Sequence, residues 1–223
     1  IPDAMESRGL GDVYKSQIRV DAEGIVWVGT GNGGLNRFDP ATETFRVYRH
    51  DPNDTNSLAD DNVRVIHISR SGILWLGSWY KGLTRFDPET EQFIRYQHDP
   101  KDIDNSLAAN AVYAIYEDHS GSLWIGTSSG LSKLDPATGT FTSYREKDGL
   151  PSASIRGILE DRQGFLWVST NHGLSRFDPE TLAVRNYDVS DGLQGNEFAE
   201  NSYYQSAAGE LFFGGGAGFN AFF

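Results

Sequence analysis

Hydrophobic positions in this chain recur in short runs rather than along a helical stripe. Gly24-Ile-Val-Trp27-Val-Gly-Thr30, Gly72-Ile-Leu-Trp75-Leu-Gly-Ser78, Gly121-Ser-Leu-Trp124-Ile-Gly-Thr127 and Gly164-Phe-Leu-Trp167-Val-Ser-Thr170 are versions of one pattern. A further copy, Gly209-Glu-Leu-Phe212-Phe-Gly-Gly215, carries Phe in place of Trp. On an extended strand Val26 and Val28 fall on one side and Trp27 on the other, so both faces are apolar and both need cover. No segment places apolar residues at i, i+3, i+4 and i+7 over the roughly 12 residues of an ordinary helix, which leaves strands as the repeating element.

The leading glycines are spaced by 48, 49, 43 and 45 residues, a period typical of propellers and solenoids. Within one unit, Ala111 to Glu117 predicts a strand, Asp118 to Gly121 a turn, Ser122 to Thr127 a second strand and Gly130 to Leu134 a third. After the Asp135-Pro136 turn, Thr140 to Tyr144 predicts a fourth. Four short antiparallel strands make one blade, and blades packed around an axis bury a second strand on both faces. The expected fold class is all-β, a β-propeller of about five four-stranded antiparallel blades, at 13–49, 62–97, 110–145, 154–188 and 200–223. The last blade has three strands of its own. Either Ile1 to Met5 supplies its outer strand and closes a ring, or the chain is a fragment of a larger protein.

Composition narrows the function. Nineteen Lys and Arg against thirty-one Asp and Glu give a formal net charge of -12, which argues against a broad phosphate-binding surface and so against nucleic acid. There is no Cys, which removes disulfides, thiolate metal sites and Cys nucleophiles together. No apolar run approaches the ~20 residues that span a bilayer, so no membrane contact is expected of this segment itself.

At these residues the chain resembles the two-component regulator propeller repeat family. One full copy is carried by Gly72 to Ser78, Gly82-Leu83, Arg85-Phe86-Asp87-Pro88, Thr90, Phe93, Tyr96 and Ser106-Leu107. The stretch Asp191-Gly-Leu-Gln-Gly-Asn-Glu-Phe198, with Gly209 to Gly215 and Gly218-Phe219, is similar to the last blade of such propellers. The resemblance implies a periplasmic sensor propeller of a bacterial hybrid two-component or diguanylate cyclase receptor, with a non-enzymatic, ligand-sensing role. It departs from the family in having fewer blades than those receptor propellers carry.

Because repeated residues are scaffold, candidate ligand contacts are the places where one copy breaks the shared pattern. Trp79, Tyr80 and Lys81 stand where other copies have small or polar residues such as Gly31-Asn-Gly33, Ser128-Ser129 and Asn171-His172. Two aromatics and a cation suit stacking on a sugar ring or another flat ligand, and packing between blades is the bland alternative. At the entry to the inner strands, Arg64, Tyr113, Arg156 and Tyr203, with Asn62, Asn110 and Asn201, could face a channel mouth and hydrogen-bond hydroxyls or a carboxylate. Salt bridges to acidic loops compete with that reading. A carbohydrate or a peptide is the expected ligand.

His50 and His98 both precede Asp-Pro and read as turn residues. His67, His119 and His172 have no metal-ligand spacing, and no metal or other cofactor is expected. The acidic segments Asp51 to Asp61 and Asp99 to Asn105 lack the Gly and terminal Glu of a calcium loop and read as Asx turns. Two rival functions stay open. One is a propeller lyase resembling streptogramin lyase, with His172 in a suitable loop. The other is a structural module that forms a homodimer through an unpaired edge strand.

Overall fold

The computed structural model describes residues 15–223. Its strands form five separate antiparallel sheets, each read in chain order from its inner strand outward. Blade 1 comprises β1 (Lys15–Val20), β2 (Val26–Thr30), β3 (Leu35–Asp39) and β4 (Thr44–Tyr48). Blade 2 comprises β5 (Val63–Ile68), β6 (Leu74–Ser78), β7 (Leu83–Asp87) and β8 (Gln92–Tyr96). Blade 3 comprises β9 (Val112–Glu117), β10 (Leu123–Thr127), β11 (Gly130–Leu134) and β12 (Phe141–Tyr144). Blade 4 comprises β13 (Ile155–Glu160), β14 (Leu166–Thr170), β15 (Gly173–Phe177) and β16 (Val184–Tyr187). Blade 5 has β17 (Phe198–Gln205), β18 (Leu211–Gly215) and β19 (Gly218–Phe222). The proposed closing strand at Ile1 to Met5 lies outside the described residues. Blades 1 and 2 belong to one compact unit, Ile1–Tyr96, and blades 3 to 5 to another, Gln97–Phe223.

Packing inside each unit explains the repeat. In the first unit, Trp27 of β2 meets Phe86 of β7 edge-on at 5.9 Å, and Tyr48 of β4 meets the same ring at 4.9 Å. In the second, Trp124 and Tyr144 of blade 3 close on Phe177 of blade 4 at 5.5 and 5.0 Å. Trp167 of blade 4 packs on Phe222 of blade 5 at 4.5 Å. The repeated Trp, Tyr and Arg-Phe-Asp-Pro Phe thus belong to one inter-blade clasp: Trp and Tyr come from one blade, Phe from the next. Edge-to-face and tilted pairs of this kind add about 0.5–1.5 kcal/mol beyond the area they bury.

In blades 1, 3 and 4 the turn between the first two strands is fixed by a carboxylate. Asp21, Asp118 and Asp161 accept the indole N–H of the Trp in their own blade at 2.8, 2.7 and 2.9 Å, while also accepting backbone N–H groups of the hairpin turn. In blade 5 the pattern has Ser206 with Phe212, so both the donor and its acceptor are gone together. Asp39, Asp87, Asp135 and Asp178 close the Asp-Pro turns by accepting the N–H two residues on. Among the described residues the helical content is two single turns of 3-10 helix at Glu146–Asp148 and Val189–Asp191.

Candidate functional site

A β-bulge at the start of each inner strand decides where the candidate side chains go. In β5 Val63 pairs with Ser78 and Val65 with Gly77, so Arg64 is the extra residue. Tyr113 holds that position in β9, between the Val112–Thr127 and Ala114–Gly126 pairs, and Arg156 holds it in β13. A bulge lifts its extra residue off the alternating face of the strand. Sequence alternation alone would have sent these side chains elsewhere.

In the first unit the structure brings two of the predicted residues into direct contact. The Arg64 guanidinium lies over the Trp79 ring at 3.7 Å. Tyr80 follows, with its ring 6.3 Å from that of Trp79 at a tilt of 58°, and it is 66% exposed. The turn carrying them is held from beneath, since Ser78 Oγ accepts the Lys81 N–H at 2.9 Å and donates to the Gly82 carbonyl at 3.2 Å. Trp79 is half-buried and Lys81 exposed. Beside Arg64 in sequence, the buried Oδ1 of Asn62 has no hydrogen-bond partner among the described residues.

In the second unit Arg156 sits over the Tyr113 ring at 5.1 Å and forms an ion pair with Glu200. The buried Nε of Arg156 has no hydrogen-bond partner among the described residues. Glu200 is a residue that the repeat alignment missed, and the register shows why. β17 pairs Phe198 with Gly215 and Tyr203 with Phe213, so its bulge holds Ala199 to Ser202, two residues more than in β13. Expecting Tyr203 to be the counterpart of Arg156 is therefore a misalignment. Tyr203 occupies the position of Ile158 and packs into the core with Ala114, Ile155 and Phe213. The bulge instead presents Glu200, next to Asn201 in a left-handed conformation with φ 56°.

The remaining candidates separate. His172 is exposed at the β14–β15 turn, where its N–H donates to Thr170 Oγ1 at 2.9 Å. Asn110 Oδ1 accepts the His98 N–H at 2.8 Å, and His98 Nδ1 bonds to the Leu107 carbonyl at 2.8 Å. His50 repeats that arrangement with Asp61 and Leu58. Among the described residues no three His, Asp or Glu side chains converge on a point that could hold a metal ion. Among those residues no helix is long and apolar enough to cross a membrane.

Comparison with known proteins adds to this geometry. Residues 106–129 and 149–172 match the two component regulator propeller family. No curated protein matches the chain. The chain is similar to the extracellular domain of the hybrid two component system BT4673 from B. thetaiotaomicron, at 28% identity and a TM-score of 0.79, over 98% of this chain and 30% of that one. The corresponding domain of BT3049 from the same organism is 24% identical with a TM-score of 0.54, over 93% and 33% of the two chains. Virginiamycin B lyase from Staphylococcus aureus shares the fold, at 16% identity and a TM-score of 0.69, over 94% and 69%. This chain spans about a third of the length of the BT4673 and BT3049 domains. Strand order, inter-blade clasp and matched repeats agree: the chain is a β-propeller that carries two component regulator propeller repeats and is similar to the extracellular domains of hybrid two component systems.

Proposed function

We propose that this chain is a non-enzymatic, ligand-binding propeller from the periplasmic part of a bacterial signalling receptor. The reading is carried by the Trp79 turn. Three large side chains, Trp79, Tyr80 and Lys81, occupy a connection that other blades fill with small or polar residues, and Arg64 braces the indole from the neighbouring bulge. A braced aromatic face beside exposed hydrogen-bonding groups suits a carbohydrate ring or the backbone and side chains of a peptide. The likeness to extracellular domains of hybrid two component systems supports an extracytoplasmic sensing role. The likeness to virginiamycin B lyase is one of fold, and it brings no chemistry with it.

In the second unit, Tyr113, Arg156, Glu200 and His172 are further candidate contacts. A cation and a carboxylate already paired in the free protein can exchange partners with a polar ligand at small cost. The test is a thermal-shift screen of neutral and acidic disaccharides and of short peptides against the wild-type chain and Trp79→Ala. The proposal expects at least one compound to raise the melting temperature of the wild type and to lose that effect in the variant. Compounds that stabilise both proteins equally, or a full panel without effect, would overturn it.

A further inference from the structure

Because the blades repeat, the junctions between them can be compared within one chain. In the second unit the residue that follows the hairpin-turn Asp reaches across to the next blade. His119 bonds to Glu160 through both its ring and its backbone N–H, and Arg162 donates to the Ala208 carbonyl. The matching residue in blade 1 is Ala22. Its counterpart to Glu160 is Ile68, which pairs with Leu74 just as Glu160 pairs with Leu166. Both ends of the bridge are therefore replaced by side chains that cannot make it.

The junction between blades 1 and 2 holds an open groove of about 510 Å³. The corresponding groove between blades 4 and 5 is about 440 Å³ and has Arg162 in its wall. Ile25, Trp27, Ile68 and Ile73 give the first groove an apolar floor, and Val20 beside them is 60% exposed. Its rim is acidic in balance. Glu23, Asp87 and Glu89 line it, and neither Glu23 nor Glu89 forms an ion pair among the described residues. Arg70 and Arg37 also line it, and Arg37 has Asp39 at 3.9 Å. The groove lies at the opposite end of β6 from Trp79, so it is separate from the site proposed above.

We propose that this groove binds an extended peptide segment in which apolar side chains alternate with Lys or Arg. An extended chain sends alternate side chains to opposite sides, so the apolar set meets the floor while the cations face the carboxylate rim. The bridge residues His119 and Glu160 mark the positions where filling would close it.

The experiment is an NMR titration of the ¹⁵N-labelled chain with a six-residue peptide of alternating Lys and Leu. The reporter is the Trp27 indole N–H, which is held by Asp21. Binding is expected to shift that signal and those of Ile68 and Ile73. A peptide of alternating Glu and Leu should bind at least ten-fold more weakly. Ala22→His combined with Ile68→Glu, which copies the blade 3 to blade 4 bridge, should weaken binding ten-fold or more. Glu23→Gln and Glu89→Gln, at exposed positions that leave the fold alone, should each weaken it about three-fold. Equal binding of the acidic peptide, no shift at Trp27, or unchanged affinity in both Gln variants would overturn the proposal.

Discussion

Replacing Asp118 by Ser removes the acceptor on which the third blade's turn converges. Asp118 is 3% exposed and accepts from the Ser120 N–H at 2.9 Å, the Ser120 hydroxyl at 2.6 Å, the Ser122 N–H at 2.9 Å and the Trp124 indole at 2.7 Å. Ser69 and Ser206 show that a Ser at this place holds the turn, since their hydroxyls accept from Ile73 N–H and Glu210 N–H at 3.1 and 3.0 Å. What the variant forfeits is the bond to Trp124, whose side chain is fully buried. A buried donor left without an acceptor costs about 1–3 kcal/mol, and the lost charge-assisted bonds place Asp118→Ser near the upper end of that range. Trp124→Phe alone should cost about 1–2 kcal/mol through lost volume and contacts. Together the two changes reproduce the Ser206 and Phe212 pair of blade 5, and because the stranded donor is gone the double variant should cost about 1–2 kcal/mol less than the sum of the singles. Urea midpoints followed by far-UV circular dichroism measure this cycle. Additivity to within about 0.3 kcal/mol would mean that Asp118→Ser strands no buried donor.

Other expectations follow from the same contacts. A Cβ at Gly157 would lie 2.4 Å from Tyr203 Cδ1, so Gly157→Ala should destabilise by about 1–3 kcal/mol, read from the urea midpoint. Glu200→Gln breaks the ion pair with Arg156, both side chains being about a fifth exposed; a loss of about 1 kcal/mol is expected, and none would mean the pair is solvent-screened. His119 is raised above its ordinary value of 6.5 by the hydrogen bond and then the charge of Glu160. Its stabilising effect is therefore complete below that value and is lost as pH rises through the raised one. Burial, followed by the Glu160 charge, pushes the adjacent Tyr116 phenol up to about 12, so it stays neutral across that window. A melting-temperature profile from pH 5 to 9 should fall with pH in the wild type and flatten in His119→Ala. Asp118 is opposed by burial but held below its ordinary 3.8 by Ser120, Trp124 and backbone N–H groups. Its contribution is present above that value and is lost as pH falls through the lowered one.

The sequence was informative where a single residue type answers a single physical need. Trp on the second strand, Tyr on the fourth and Phe before Asp-Pro recur because the junctions inside each unit share one clasp. The strand at Gly130–Leu134, bounded by its glycine and the Asp135-Pro136 turn, could be placed to the residue. Asx turns at Asp-Pro and the turn role of His50 and His98 were readable for the same reason. What alignment could not supply was register inside a bulge. The two extra residues of β17 carry no compositional mark, and counting from the Gly209 pattern placed Tyr203 where Glu200 belongs. The contact of Arg64 with Trp79 was not legible in the sequence, where Trp79 stood out as a break in the repeat and Arg64 only as an inner-strand position shared with Tyr113 and Arg156. The bridge missing at Ala22 and Ile68 could have been noticed from the alignment, but its meaning needed the His119–Glu160 contact to be seen first.

The proposed function rests on the loop bearing Trp79 receiving a ligand. The most direct measurement is a crystal structure of the chain with the compound that stabilises it most in the screen. That compound is expected against the Trp79 indole, within hydrogen-bonding reach of Tyr80, Lys81 or Arg64. A compound seated away from the Trp79 turn, with Arg64 still stacked and Tyr80 untouched, would contradict it.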